Sequence, residues 1–267
     1  MAVPTISIEE LRQLLDRHAP VTTLDVRPAT ERAEWAIPGS VHVDAYAALR
    51  RGDPNALADF RPANGGPVVT VCAAGKTSQL AAALLRTRGL DAVSLEGGMR
   101  AWSLAWNSAA VPCPGSTAEI VQVRRTGKGC LSYIIGSHGD AAVIDASLDP
   151  GVYRDIADRH GWQIRAVIDT HVHADHLSRA RALAHSTGAT LQVPATDRVS
   201  FAHTPLRKGD IVRVGSARLQ VLHTPGHTME SACYFLDERA LFTGDTLFLA
   251  AVGRPHLEAT PDEARHR

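Results

Sequence analysis

Between Thr170 and His176 the chain reads Thr-His-Val-His-Ala-Asp-His, which places three imidazoles and a carboxylate within six residues. The run directly before it, Ala166-Val167-Ile168-Asp169, has the composition of a buried strand. In an extended segment side chains two apart point the same way, so His171 and His173 can converge on one point. Asp175 and His176 fall where the strand gives way to a helix expected over Leu177–His185. Two groups of donors thus flank one small volume, and nitrogen and oxygen donors packed this closely suit zinc, iron or manganese. A purely structural loop has no use for three titratable rings in six residues.

Two distant turns carry the same chemistry. Thr224-Pro225-Gly226-His227-Thr228 sets a histidine on a tight turn after a strand, and Thr243-Gly244-Asp245 does the same for a carboxylate. On spacing, His171, His173 and His227 are able to hold one metal. Asp175, His176 and Asp245 lean toward a second, with Asp245 as a bridge.

A second chemical signal lies at Cys72-Ala73-Ala74-Gly75-Lys76-Thr77, between the strand-like run ending at Val71 and a helix starting near Ser78. Loop amides and a helix N-terminus converge at such a position and stabilise an anion, whether a thiolate or a sulfur oxyanion. Lys76 adds positive charge, and such surroundings lower a thiol's pKa. The competing reading is a small apolar cysteine closing a buried strand.

The totals narrow the function classes. The chain has 267 residues, enough for two ordinary domains. Lys plus Arg equals Asp plus Glu at 28 each, so no net basic field favours nucleic acid or an anionic membrane. No segment approaches the roughly 20 apolar residues of a membrane span, and Met1–Leu15 reads as a short strand and an amphipathic helix rather than a leader. Cys72, Cys113, Cys130 and Cys233 show no paired spacing. Free thiols and a cytoplasmic location are therefore expected.

Strand-like runs at 22–26, 41–43, 68–71 and 92–95 alternate with helical ones, which predicts a parallel sheet with helices on both faces over residues 1–108. Ser, Ala, Pro and Gly then dominate, and a linker is expected over 109–117. From 118 to 267 strands come in runs, as in a sheet-rich α+β domain. Thr260-Pro261-Asp262-Glu263 forms a capping-box signature with only four residues after it, so this domain is expected to be cut short at its C-terminus.

Two family resemblances rest on these residues. Asp25-Val26-Arg27 with Glu31 and Glu34, Ile37-Pro38-Gly39-Ser40-Val41-His42, the six-residue Cys72 loop, and Leu95-Glu96-Gly97-Gly98 with Ala101-Trp102 together resemble a rhodanese domain over about residues 5–107. The resemblance implies that Cys72 accepts sulfane sulfur as a persulfide in a cradle formed by Ala73, Ala74, Gly75, Lys76 and Thr77. It implies that Asp25 and Arg27 brace the loop rather than react. Thr77 stands where many thiosulfate-using members carry Arg, which leaves the sulfane-sulfur donor open.

From about residue 118, the histidine stretch, His227 and Asp245 resemble the metallo-β-lactamase superfamily, which implies an αββα fold. Within it the choice lies between persulfide dioxygenase, with one Fe(II) at His171, His227 and Asp245 and His173 nearby, and a zinc-dependent hydroxyacylglutathione-type thioester hydrolase. Gly253-Arg254 is more similar to the dioxygenases, where an arginine at this place helps hold glutathione. His256 replaces the usual Asp, and the superfamily's last histidine is not found before Arg267. The attached rhodanese-like segment favours oxidation of glutathione persulfide to sulfite. A metal-inactive persulfide carrier or interaction module is the third alternative. No nucleic acid or membrane partner is expected, and a homo-oligomer is one way to cover the edge left by missing C-terminal elements. Cys113 and Cys130 flank the linker as candidate sulfur acceptors, Cys233 reads as core, and His223 as a neighbour of the metal ligands.

Overall fold

The structure, a computed structural model, describes residues 3–62, 65–173 and 177–253. It divides into two compact units, Met1–Trp106 with Thr126–Lys128, and Asn107–Arg125 with Gly129–Arg267.

The first unit runs β1 (Thr5–Ile6), α1 (Ile8–Asp16), β2 (Thr22–Asp25), α2 (Ala29–Glu34), β3 (Val41–His42), α3 (Tyr46–Arg50), β4 (Val68–Val71), α4 (Lys76–Thr87), β5 (Ala92–Leu95) and α5 (Gly98–Trp102). Its sheet has the order β1-β5-β4-β2-β3, with every pairing parallel. β2 and β4 are buried along their whole length, as parallel strands covered on both faces must be. Successive residues of β4 feed opposite cores: Val68 packs with Leu24, Leu49, Ala81 and Leu85, whereas Val69 and Val71 pack with Leu11, Met99 and Trp102. Helices therefore cover both faces, α3 and α4 on one and α1 and α5 on the other.

The second unit runs β6 (Asn107–Val111), β7 (Glu119–Arg124), β8 (Leu131–Ser137), β9 (Asp140–Ile144), α6 (Pro150–Arg159), β10 (Gln163–Ile168), α7 (Ala180–Thr187), β11 (Thr190–Pro194), β12 (Thr204–Leu206), β13 (Ile211–Val214), β14 (Ala217–His223), β15 (Ala232–Leu236) and β16 (Ala240–Phe242). Seven strands order as β12-β11-β10-β9-β8-β7-β6, and four as β13-β14-β15-β16. The two sheets face each other across one core, with Ile120, Ile135, Ile144 and Ile168 from the first against Val212, Leu219, Val221, Tyr234 and Phe242 from the second. Helices α6 and α7 bury Tyr153, Ile156 and Leu183 against the seven-stranded sheet.

Two local expectations are corrected, and one strand is added. The first part of the stretch expected as a linker, 109–117, lies in β6, which pairs antiparallel with β7 from Asn107↔Arg124 to Val111↔Ile120. Its residues are small and mostly exposed, so its strand character comes from the neighbour and leaves no hydrophobic pattern in its own sequence. The helix expected from Leu177 starts at Ala180 instead. Ser178 donates to Asp169 Oδ2 (2.9 Å) and accepts from Ala180 N–H (3.1 Å), while Arg179 N–H bonds Ala146 O (2.7 Å). Those contacts hold the first residues away from helical pairing. β12, with proline at its centre, was not foreseen at all. The capping-box signature at Thr260 lies outside the described residues.

Candidate functional site

In the first unit, β4 delivers Cys72 to the sheet's C-terminal end, and the loop turns at Gly75 into α4. Gly75 has φ +81°, a left-handed conformation that favours glycine. The following Gly97-Gly98 turn presses against the same loop. A Cβ on Gly98 would stand 2.1 Å from Cys72 O and 2.7 Å from Gly75 N, so no larger residue fits there. Met99 and Arg100 N–H groups, at the start of α5, bond Cys72 O (2.8 Å) and Ala73 O (3.0 Å). Cys72 is buried, Ala73 and Ala74 are half-buried, Gly75 and Thr77 are buried, and Lys76 is exposed. Arg27 spends its donors on Asp25, on both carboxylate oxygens, and on Glu31 O and Trp35 O. Both members of this ion pair are buried. It acts as a brace between β2 and the segment after α2.

In the second unit, the chemistry gathers where β9 and β10 end in one sheet and β14 and β16 end in the other. His171, His227 and Asp245 bring one ligand atom each to within 4.8 Å of one another, and His227 Nε2 lies 3.5 Å from Asp245 Oδ2. Ligand bonds of about 2.1 Å separate neighbouring donors by roughly 3.0–3.4 Å, so the His227–Asp245 spacing is close to that of two ligands, and two imidazoles with a carboxylate are donors that zinc or iron takes. His173 is turned differently. Its Nε2 lies 3.1 Å from Asp145 Oδ1, and with Asp145 and Asp169 it forms a separate group.

Asp145 sets the chemistry of both rings. Its Oδ1 accepts from Thr170 N–H (2.7 Å) and its Oδ2 from the Thr170 hydroxyl (2.9 Å). That hydroxyl has one proton and gives it to Asp145, so its contact with His171 Nδ1 (2.9 Å) makes the ring the donor. The lone pair of His171 is then on Nε2. A carboxylate only accepts, so His173 donates through Nε2, and in the neutral ring the lone pair lies on Nδ1. This is how carboxylates beyond the ligands orient metal-binding histidines. Asp145 itself has φ +54°, a bend that aims its side chain back over Thr170.

Burial alone would push the Asp145 carboxyl up, but the His173 and His171 rings and the Thr170 N–H hold it below the usual carboxylate value. Asp169 goes the other way. Burial and the charge of Asp145 raise it from 3.8 to about 7, against the pull of His173 and Ser178.

Glu230 ties two ligand segments together. Buried beside the His227 turn, it accepts from Val172 N–H (3.0 Å), the peptide between His171 and His173, and from Arg198 (3.2 and 3.3 Å). Burial acts to raise its carboxyl, and these donors outweigh that and lower it. Gly244 lets the Asp245 turn approach, since a Cβ there would stand 2.3 Å from Thr170 Oγ1.

Sequence reasoning missed Asp145, Asp169 and Glu230. Asp145 and Asp169 were hidden as ends of apolar strands, and the only signal was a charged residue directly following Val143-Ile144 and Val167-Ile168. Asp175, His176, Arg254, His256 and His266 lie outside the described residues. His223 is exposed and bonds Met229 O (2.9 Å). All four cysteines are free thiols.

Comparison with known proteins agrees with this division. Residues 7–105 match the rhodanese-like domain family, and residues 125–267 match the metallo-beta-lactamase superfamily. A hydroxyacylglutathione hydrolase of Methylobacillus flagellatus is 38% identical over 133 residues, which is 49% of this chain and 52% of that protein. One from Pseudomonas entomophila is 37% identical over 47% of this chain and 49% of its own length. The chain thus spans about half the length of the curated relatives it matches. Among solved structures, a metallo-beta-lactamase from Staphylococcus aureus is 31% identical with a TM-score of 0.51, over 56% of this chain and 50% of that one.

Proposed function

This chain belongs to the metallo-beta-lactamase superfamily, with a rhodanese-like domain ahead of that fold, and we propose that it handles sulfane sulfur and oxidises a persulfide. In this reading Cys72 carries the sulfur as a persulfide, and an Fe(II) held by His171, His227 and Asp245, with His173 beside them, serves the oxidation of glutathione persulfide. The balanced reaction takes one O₂ and one water per persulfide and gives glutathione and sulfite. The single observation that carries it is the presence, in one chain, of a cysteine on a strand-to-helix loop of a rhodanese-like domain and of a two-histidine, one-carboxylate cluster. Tethering raises the effective concentration of one site's product at the other.

Iron would supply the reaction with O₂ that no amino-acid side chain can perform. The chain's own groups prepare for it. Asp145 and Thr170 fix the tautomers of His171 and His173, so that each presents a lone pair. Glu230 fixes the peptide between those rings. At the other site the α5 amides hold the loop carbonyls and leave Cys72 at the helix N-terminus.

A second reading has its own support, because the similar relatives from Methylobacillus and Pseudomonas are named hydroxyacylglutathione hydrolases. The same cluster occupied by zinc would then serve thioester hydrolysis. Metal content, O₂ uptake with glutathione persulfide, and cleavage of S-lactoylglutathione separate the two. Iron with O₂ uptake is expected. Zinc alone, with thioester cleavage and no uptake, would establish the hydrolase. No metal, with sulfur still carried on Cys72, would leave a carrier module.

A further inference from the structure

Beneath Cys72 lies a chain of buried hydroxyls. Cys72 Sγ sits 3.3 Å from Ser78 Oγ, and the Ser94 hydroxyl donates to Ser78 Oγ at 2.9 Å. Ser78 is 0% exposed, Ser94 1% and Cys72 2%. Ser78 is further fixed through its backbone, because the Thr70 hydroxyl donates to Ser78 O at 2.8 Å. A thiol could donate to Ser78 Oγ, but a thiolate only accepts, so once Sγ is an anion the contact is made by the Ser78 proton, with Ser94 donating to the same oxygen from behind. A hydrogen bond of this kind strengthens as the acceptor gains charge, and a donor feeding it from behind strengthens it again.

We propose that Ser78, polarised by Ser94, is the catalytic donor that stabilises Cys72 as the leaving thiolate when sulfane sulfur passes to an acceptor thiol. The inference rests on the reading of Cys72 as the sulfur carrier. In the step, the acceptor thiolate attacks the outer sulfur of the Cys72 perthiol. A new sulfur–sulfur bond forms to the acceptor, the bond from Sγ to the outer sulfur breaks, and Sγ leaves with the electron pair. The outer sulfur keeps its proton, so one negative charge enters on the acceptor and one remains on Sγ. In the persulfide Sγ is a neutral divalent sulfur, and in the product it is an anion. The Ser78 proton is therefore worth more after the step than before it, and favours discharge. Ser94 acts through Ser78 and is a positioning residue.

The test uses the full chain, loaded with inorganic polysulfide and assayed for cyanolysable sulfur, then mixed with a low-molecular-weight thiol in single turnover. Ser78→Ala is expected to slow discharge roughly ten- to a hundredfold, the range of a hydrogen bond to a charged group. Ser94→Ala is expected to slow it about severalfold, since it removes only the polarising partner. Loading is expected not to slow in either variant, because there Sγ is the attacking anion and the hydrogen bond is strongest before the step. A folded Ser78→Ala protein that discharges at the parent rate overturns the proposal, and so does equal slowing of loading and discharge. If Ser78→Ala does not fold, a Ser94→Ala protein with parental discharge overturns it. Absence of cyanolysable sulfur on the parent chain would sink the carrier reading instead. Iodoacetamide alkylation of Cys72 then tests the hydrogen bond itself, and a pH profile that does not move upward in Ser78→Ala counts against it.

Discussion

The cysteine loop and the histidine cluster solve opposite problems. Around Cys72 the immediate partners are neutral: hydroxyls of Ser78 and Ser94, backbone amides of α5, and glycines that let one loop press on another. Around His171 two buried carboxylates, Asp145 and Asp169, stand next to each other, and a third, Glu230, is buried within the same loops. The first site is held by shape, with the Gly97-Gly98 turn pressed on the cysteine loop, and the second by charge drawn from four separate strand ends. The difference teaches where each is fragile. Steric change should break the first, whereas charge change and pH should break the second.

The largest effect is expected where shape is tightest. Gly98→Ala combines φ +56° with a Cβ 2.1 Å from Cys72 O, and should cost about 4 kcal/mol or more of stability and abolish sulfur loading. Urea unfolding reads the first and cyanolysis the second. A benign Gly98→Ala would mean that the loop is not clamped by shape.

Next comes the charge side. Asp145→Ala leaves Thr170 N–H, the Thr170 hydroxyl and His173 without their acceptor, and should cost about 3–5 kcal/mol. Metal affinity, measured by chelator competition, should fall about 10–100-fold. Loading of Cys72 should stay intact, and a joint loss would erase the contrast between the sites. Glu230→Ala should cost about 2 kcal/mol by stranding Val172 N–H, while Glu230→Gln, which keeps an acceptor, should cost about half of that.

The pH response follows from Asp169. Its folded value near 7 lies above the ordinary 3.8, so between those limits the native state holds a proton that the unfolded chain has released. Stability of the metal-free protein should therefore fall as pH rises from about 4 to about 7, and level off above. Asp169→Asn should flatten that slope in pH-dependent denaturation. Asp145, held low, acts in the opposite sense and only below about pH 4, where protonation removes its contribution. Smallest of all, Lys76→Met at an exposed position should change stability by less than about 0.5 kcal/mol. An effect of several kcal/mol would place charge at the heart of the cysteine site as well.

The same contrast explains what was legible in the sequence. Cys72 and its loop were readable because strand, turn and helix follow one another directly, and the buried runs of β2 and β4 declare a parallel sheet. His171, His227 and Asp245 were readable as types of ligand on turns, but not their grouping. His173, two residues from His171, reads as its twin and yet faces Asp145. That carboxylate lies 28 residues away, on a strand end with no spacing signal of its own. β6 was illegible for a related reason: its hydrogen bonds are dictated by β7, and its Ser and Ala residues carry no trace of the partner.

That strand has a practical consequence for anyone wishing to study the second unit in isolation. Composition suggests cutting the gene near codon 117, after the prolines. Such a cut would strip five paired residues from β7 and leave its backbone donors and acceptors open along Ile120–Arg124. A bared edge of that kind recruits other strands, so the shortened protein is expected to aggregate or form dimers through β7. Starting at or before Asn107 keeps β7 paired with the short, mostly exposed β6.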